Sequence, residues 1–230
     1  MQISMRIVVY TAIFGGYDEL VDDQFQMDGV DYICFTDGDI ESKTWEVVNC
    51  TPIYNDPNRN AKKYKVLPHR YLKDYDYSVW IDGNILVVDD IRDLVKNHKY
   101  QVFDHNQTLL DPRDCIYKEY DAIMRLGKQN GGNYKDNPAL MYNQVKRYLD
   151  EGYPHNNRLA TNPIIFRHHH DSQVIKVMED WWTEIKYGSR RDQLSFDYVA
   201  WKNKFEYRFL EGDSRKNKHF VQTGKHRGKQ

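Results

Sequence analysis

The run Tyr77-Ser78-Val79-Trp80-Ile81 ends abruptly on Asp82-Gly83-Asn84, a carboxylate, a glycine and an amide in succession. An almost wholly apolar run of this length reads as a buried central strand of a parallel sheet. In open α/β sheets, ligands bind off the carboxyl ends of the strands. A carboxylate at that point, beside a glycine that permits close approach, suits a divalent metal holding a phosphate. Asp-Gly-Asn is also a common turn sequence, so a plain turn stays open.

Other residues could serve the same ligand. Thr11-Ala12-Ile13-Phe14-Gly15-Gly16-Tyr17 forms a glycine-containing loop directly after an apolar stretch. Such a loop lets backbone groups approach a nucleotide, though a tight strand exit explains it equally well. It is neither a dinucleotide fingerprint nor a P-loop. Asp37 follows a second apolar run and could accept hydrogen bonds from a base or ribose, or simply cap a turn. Thr11, Ala12, Phe14, Tyr17 and Asp37 are therefore expected around a nucleoside. Arg59, Lys62 and Lys65 could meet a diphosphate, with a solvated helix face as the alternative. In the second half, Asn162 precedes a strand, and Asp192-Gln193 follow Arg190-Arg191 at the start of a helix. Asp192 could face the anomeric region of a sugar or only favour the helix dipole. His168-His169-His170 cannot converge on one ion, because consecutive side chains point to different sides. His219 and His226 are better placed to close a metal site, unless the basic tail is disordered.

These residues need a frame. Strands are expected at Arg6–Thr11, Tyr32–Thr36, Trp45–Val48 (at an edge), Tyr77–Ile81, Tyr100–Phe103 and Pro163–Phe166. Asp56-Pro57 reads as an N-cap and first helical proline opening a basic helix. A short helix is expected over Asp90–Asn97. Helical spacing joins Ile116, Tyr120, Ile123 and Met124, then Met141, Val145, Tyr148 and Leu149. Gly127–Asn137 between them reads as a mobile loop. Val174, Val177, Met178, Trp181, Trp182 and Ile185 mark the clearest amphipathic helix, and Leu194, Tyr198 and Trp201 another. The βα alternation predicts an α/β fold with a mostly parallel, doubly wound sheet flanked by helices. A nucleotide-binding N-terminal half precedes a more helical, acceptor-side half. One domain over 1–214 is expected, then a basic tail over 215–230 that closes over the donor site or is disordered.

The 230 residues suffice for one large domain with a full core. A hydrophobic share of 40% and a charged share of 29% exclude a disordered chain. A net charge of −1 gives no global field toward nucleic acid or membrane. Eighteen tyrosines suit stacking on sugars and bases. Cys34, Cys50 and Cys115 show no disulfide or zinc spacing, as in a reducing compartment. With neither a signal peptide nor an apolar run of spanning length, a cytoplasmic location is expected.

The stretches VVYTAIFGGYDEL, FTD, RNAKKYKVLPHRYL, YSVWIDGN, DCIYKEYDAI, GYPHNNRLATNPIIFRHH, WWTEI and SRRDQLSFDYVAWK resemble the glycosyltransferase-like family first catalogued as domain of unknown function 616. The likeness runs from about Val8 to Trp201 and implies a GT-A fold with a nucleotide-sugar donor. GT-A enzymes carry Asp-x-Asp where this chain has Asp82-Gly83-Asn84. The resemblance thus implies Mn2+ or Mg2+ on Asp82 and Asn84, with His219 or His226 as third ligand. Asn84 in place of an anionic ligand implies a weaker hold. A looser similarity to glycosyltransferase family 8 matches Asn162, Asp192-Gln193 and the late histidine, and implies retention of anomeric configuration.

The implied reaction moves a hexosyl group from a nucleoside-diphosphate sugar, UDP-linked, to a glycan or other hydroxyl acceptor. The metal would act as Lewis acid on the leaving diphosphate. Asp192 and Gln193 would act at the anomeric carbon, with Asp192 as general base should the enzyme invert. A nucleotidyltransferase and a non-catalytic nucleotide- or sugar-binding domain are the alternatives.

Overall fold

Every residue of Ile7–Ile13 (β1) and Tyr77–Ile81 (β4) is buried. Strands closed on both faces belong inside a sheet. In the computed structural model, which describes residues 5–95 and 98–224, these two pair in parallel with Ile7 opposite Tyr77. Val30–Thr36 (β2) lies parallel to β1 on its other side, and Glu46–Asn49 (β3) forms the expected edge beyond it. Tyr100–Asp104 (β6), Ala160–Arg167 (β7) and Arg208–Leu210 (β8) complete the seven-stranded sheet in the order β3-β2-β1-β4-β7-β6-β8. Only β7 runs against its neighbours, antiparallel to both β4 and β6.

The side chains of β1 alternate between two cores. Val8, Tyr10 and Ala12 meet Tyr64, Trp181 and Phe196. These come from helices Pro57–Val66 (α1), which the short helix Pro68–Tyr71 (α2) follows, Ser172–Tyr187 (α5) and Phe196–Lys202 (α6). Ile7, Val9 and Ile13 face Ile85, Val87, Ile91 and Phe220. The βα alternation leads one to expect helices on both faces. The second face is instead closed largely by a ribbon of Ile85–Val87 (β5) and Phe220–Gln222 (β9), paired antiparallel. The segment beginning at Arg215 thus supplies a strand. Fully burying a side chain such as Val9 or Ile13 is worth roughly 1.5–3 kcal/mol, and these two cores carry the sheet.

Two local expectations change. From Asp90 the chain closes as turns rather than a helix, with Leu94 N donating to Ile91 O at 3.0 Å. The Asp90 carboxylate takes the Arg92 backbone N–H at 2.9 Å, offering the chain a turn in place of a helical start. Asn97, the expected end, lies outside the described residues. Helix Ile116–Gln129 (α3) runs through Gly127, so the loop to Pro138–Asp150 (α4) is shorter than expected. Tyr134 folds back so closely that a methyl group on Gly127 would lie 2.1 Å from its Cδ1. Among the described residues no helix is long and apolar enough to cross a membrane.

Candidate active site

A cleft of about 360 Å³ opens at the carboxyl ends of β1 and β4. It gathers Ala12, Phe14, Tyr17, Lys62, Lys65, Asp82, Gly83, Asn162, Asp192 and Gln193 from the residues singled out by sequence. A larger hollow of about 570 Å³, lined by Glu151, Arg158, Asp197, Trp201 and Tyr207 among others, gathers none of them.

Helix α1 supplies the lysines. Asp56 caps it, accepting from Asn58 N at 3.0 Å, and Pro57 opens it. Three-residue spacing puts Lys62 and Lys65 on one face. The Lys65 carbonyl, near the end of the helix, is held by Tyr10 Oη at 2.8 Å and by the buried guanidinium of Arg167. That anchorage fixes the last turn from which the Lys65 side chain extends.

Lys65 Nζ lies 3.2 Å from Asp82 Oδ1 and 2.8 Å from Asp192 Oδ2. Lys62 Nζ lies 2.9 Å from Asp192 Oδ1. Burial alone would raise the Asp192 pKa, but Lys62, Lys65 and Arg191 hold it far below the usual carboxylate range. Burial would lower Lys65, yet Asp192 and Asp82 outweigh it and lift it above its ordinary value. Burial does prevail at Lys62, which is pushed down. Asp192 is therefore a fixed anion and a poor proton acceptor.

At the end of β4, Asp82 O accepts from Ile85 N at 2.9 Å and closes a turn through Gly83 and Asn84. The turn presents the Asp82 side chain to the cleft. Trp80 Nε1 donates to Asp82 Oδ1 at 2.8 Å. A Cβ at Gly83 would stand 3.2 Å from the Cβ of Asp18, another cleft residue, so only glycine fits comfortably. Asp82 N donates to Pro163 O at 2.8 Å, which sets the adjoining Asn162 beside it. Asn162 is 3% exposed, and neither amide atom has a partner in the fold. Leaving such a group unmet costs about 1–3 kcal/mol, an unusual cost for a buried amide at a cleft wall.

Several expected residues do other work. Asp37 is exposed and takes the Gly15 N–H at 2.8 Å, bracing the β1 loop from outside the cleft. Thr11 is buried in β1. Arg59 turns away, donating to Ile185 O at 3.2 Å and Gly188 O at 2.6 Å beyond the end of α5.

Of the four residues expected to hold a metal, the three that are described, Asp82, Asn84 and His219, do not converge. Asn84 Nδ2 donates to Gly224 O at 2.8 Å, and Asn84 is not part of the cleft wall. His219 stands by Asp89, with Nδ1 4.0 Å from Oδ2. His226 lies outside the described residues. Among those residues, no group of three His, Cys, Asp or Glu is close enough to share an ion. Among the described residues, the expected donors do not come together around a metal.

The sequence reading passed over a second charged group in the cleft. Arg113 Nε donates to Glu119 Oε2 at 2.8 Å, its NH2 meets His105 Nε2 at 2.9 Å, and Arg191 pairs with Glu119 Oε1 at 3.4 Å. Burial and then Arg113 push the His105 pKa down. Glu119 carried a signal: it lies on the helix face of Ile116 and Ile123, a charge among apolar side chains. Lys135 and Arg215 also line the cleft.

The chain is similar to the Arabidopsis thaliana protein named "Probable hexosyltransferase MUCI70", at 26% identity over 256 aligned residues. The match covers 97% of this chain but 42% of that protein, so the chain spans less than half of its relative's length. Residues 35–226 match the family described as "TOD1/MUCI70, glycosyltransferase-like domain". On that match, and with the GT-A-like sheet and cleft it folds into, the chain belongs to the TOD1/MUCI70 glycosyltransferase-like family.

Proposed function

We propose that the protein transfers a hexosyl group from a nucleoside-diphosphate sugar, UDP-linked, to a hydroxyl of a glycan or similar acceptor, with retention of configuration. The observation that carries this reading is the cleft itself. Cationic side chains gather at the carboxyl end of a nucleotide-type sheet, beside a partnerless buried amide, Asn162. The β1 loop, with Phe14 and Tyr17, is suited to the nucleoside. Asp192, Gln193 and Asn162 face the position of the sugar.

In the reaction the bond between C1 and the β-phosphate oxygen breaks, and its electron pair leaves with the diphosphate. A new bond forms between C1 and the acceptor oxygen, and the acceptor proton ends on the diphosphate released. Asp192 stabilises positive charge at C1 as a fixed anion. Its depressed pKa argues against the inverting route, which needs a protein base. The test is a panel of nucleotide sugars screened for donor hydrolysis, followed by NMR of the newly formed anomer. Release of nucleoside diphosphate from a UDP-hexose supports the reading. Release of pyrophosphate would instead mark a nucleotidyltransferase, and inversion at C1 would remove the retaining assignment.

A further inference from the structure

The cleft wall carries six cationic side chains against four carboxylates, an excess of positive charge matched to a diphosphate. The cations are not spread evenly. Lys62 and Lys65 share Asp192, so two ammonium groups stand within ion-pair distance of one carboxylate. Arg191 makes a long 3.4 Å contact to Glu119, which is already taken at 2.8 Å by Arg113. Arg191 Nε is buried without a partner. Lys135 enters the same wall from an exposed loop, tied down where Asp136 Oδ2 accepts from Ser189 Oγ and Arg190 N at 2.7 Å each. On the acidic side, Asp82 already has Oδ1 occupied by Trp80 and Lys65.

We propose that this protein neutralises its donor's diphosphate with Lys62, Lys65, Lys135 and Arg191, and needs no divalent metal to do so. The inference rests on the nucleotide-sugar reading and specifies how that site handles charge. The Lys65 ammonium pairs with Asp82, the carboxylate of the expected metal arrangement. As the bond from C1 to the phosphate oxygen breaks, the negative charge arriving on the diphosphate meets fixed ammonium and guanidinium groups. Lys62 and Lys65 need little reorganisation, because Asp192 already holds both ammonium groups at the cleft.

Titration calorimetry on the full chain tests this with two probes, inorganic pyrophosphate and UDP, each in EDTA and in excess Mn2+. Both should bind in EDTA, and manganese should change either Kd by less than about threefold, well short of the tenfold that 1.4 kcal/mol represents. Lys135→Ala and Arg191→Ala should each weaken pyrophosphate in EDTA by about tenfold or more, as loss of a hydrogen bond to a charged group does. Lys135 is exposed, so its variant folds normally and the result cannot be assigned to unfolding. Binding of both probes only with Mn2+ would overturn the inference and leave the nucleotide reading intact. Pyrophosphate binding without UDP would support the cradle and remove the uridine donor. Failure of both probes under both conditions would remove the two together, and unchanged Kd values in both variants would overturn the cradle.

Discussion

The ammonium of Lys65 lies 2.8 Å from Asp192 Oδ2, joining a helix of the first half of the chain to a turn of the second across the cleft. Neither group is fully at home in a protein interior alone, and each makes the other's charge tolerable. The pair thereby fixes the charge at this point of the cleft.

Replacing Asp192 with Asn should expose that dependence. Lys62 and Lys65 would lose their shared carboxylate, and breaking a buried pair costs about 3–5 kcal/mol. UDP affinity should hold or tighten, because both ammonium groups become available to phosphate. Transfer should fall on the order of 10²-fold, the loss expected for one preorganised group. Melting temperature, Kd and rate on the one variant separate these effects. A near-normal rate would take Asp192 out of the chemistry.

Gly15→Ala and Gly16→Ala form a matched pair. Both glycines are left-handed, at φ 60° and 61°, so each alanine carries roughly 1–3 kcal/mol of backbone strain. A methyl at Gly15 would also lie 2.6 Å from Pro57 Cγ, whereas one at Gly16 meets nothing within 4 Å. Gly15→Ala should therefore be the less stable variant and also the weaker UDP binder, since Pro57 opens the helix of Lys62 and Lys65. Equal melting temperatures would show that the Pro57 contact yields freely.

At Gly127 two effects oppose. Alanine in a helix interior gains about 1 kcal/mol over glycine. Here its methyl would collide with the Tyr134 ring at 2.1 Å, and Tyr134 precedes Lys135. Gly127→Ala should displace that loop and weaken pyrophosphate binding about as much as Lys135→Ala does. Unaltered binding with a raised melting temperature would mean that the loop repacks without cost.

Asp197 predicts a pH signature. Burial pushes its carboxyl up to about 7, although Tyr207 Oη and the Ala160 N–H both donate to it. Its unfolded value is about 3.9. Between about pH 4 and pH 7 the folded chain keeps a proton that the unfolded chain has lost, so this contribution to stability falls as pH rises, by at most ~1.4 kcal/mol per unit. Asp197→Asn mimics the protonated acid and should gain on the wild type from pH 5 to about pH 7 in thermal melts, then level off above it. A difference that ignores pH would show Asp197 ionised throughout.

Much of the frame was legible because it rests on local pattern. The apolar run at Tyr77–Ile81 and the cap at Asp56-Pro57 each depend on neighbours in sequence. The direction of a side chain at a strand end does not. Asp37 follows β2 as expected, yet its carboxylate serves the Gly15 amide 22 residues away in sequence. Arg59 shares the basic helix with Lys62 and Lys65 but finds carbonyls at the far end of α5. The group of His105, Arg113 and Glu119 joins a turn after β6, an irregular stretch and helix α3 through the Arg113 guanidinium, and spacing alone could not announce it.

The reversed strand β7 has a further consequence for how the chain comes to be folded. It sits between β4 and β6, so these never touch as sheet neighbours. As the chain leaves the ribosome, β4 is made early but keeps one bare row of amides and carbonyls until residues 160–167 emerge. The first half of the sheet therefore cannot close on its own. A fragment ending near residue 150 would present the apolar edge of Val79 and Ile81 to any strand it met. The two halves share one folding event, and the slow step should be the long-range closure that brings β7 home.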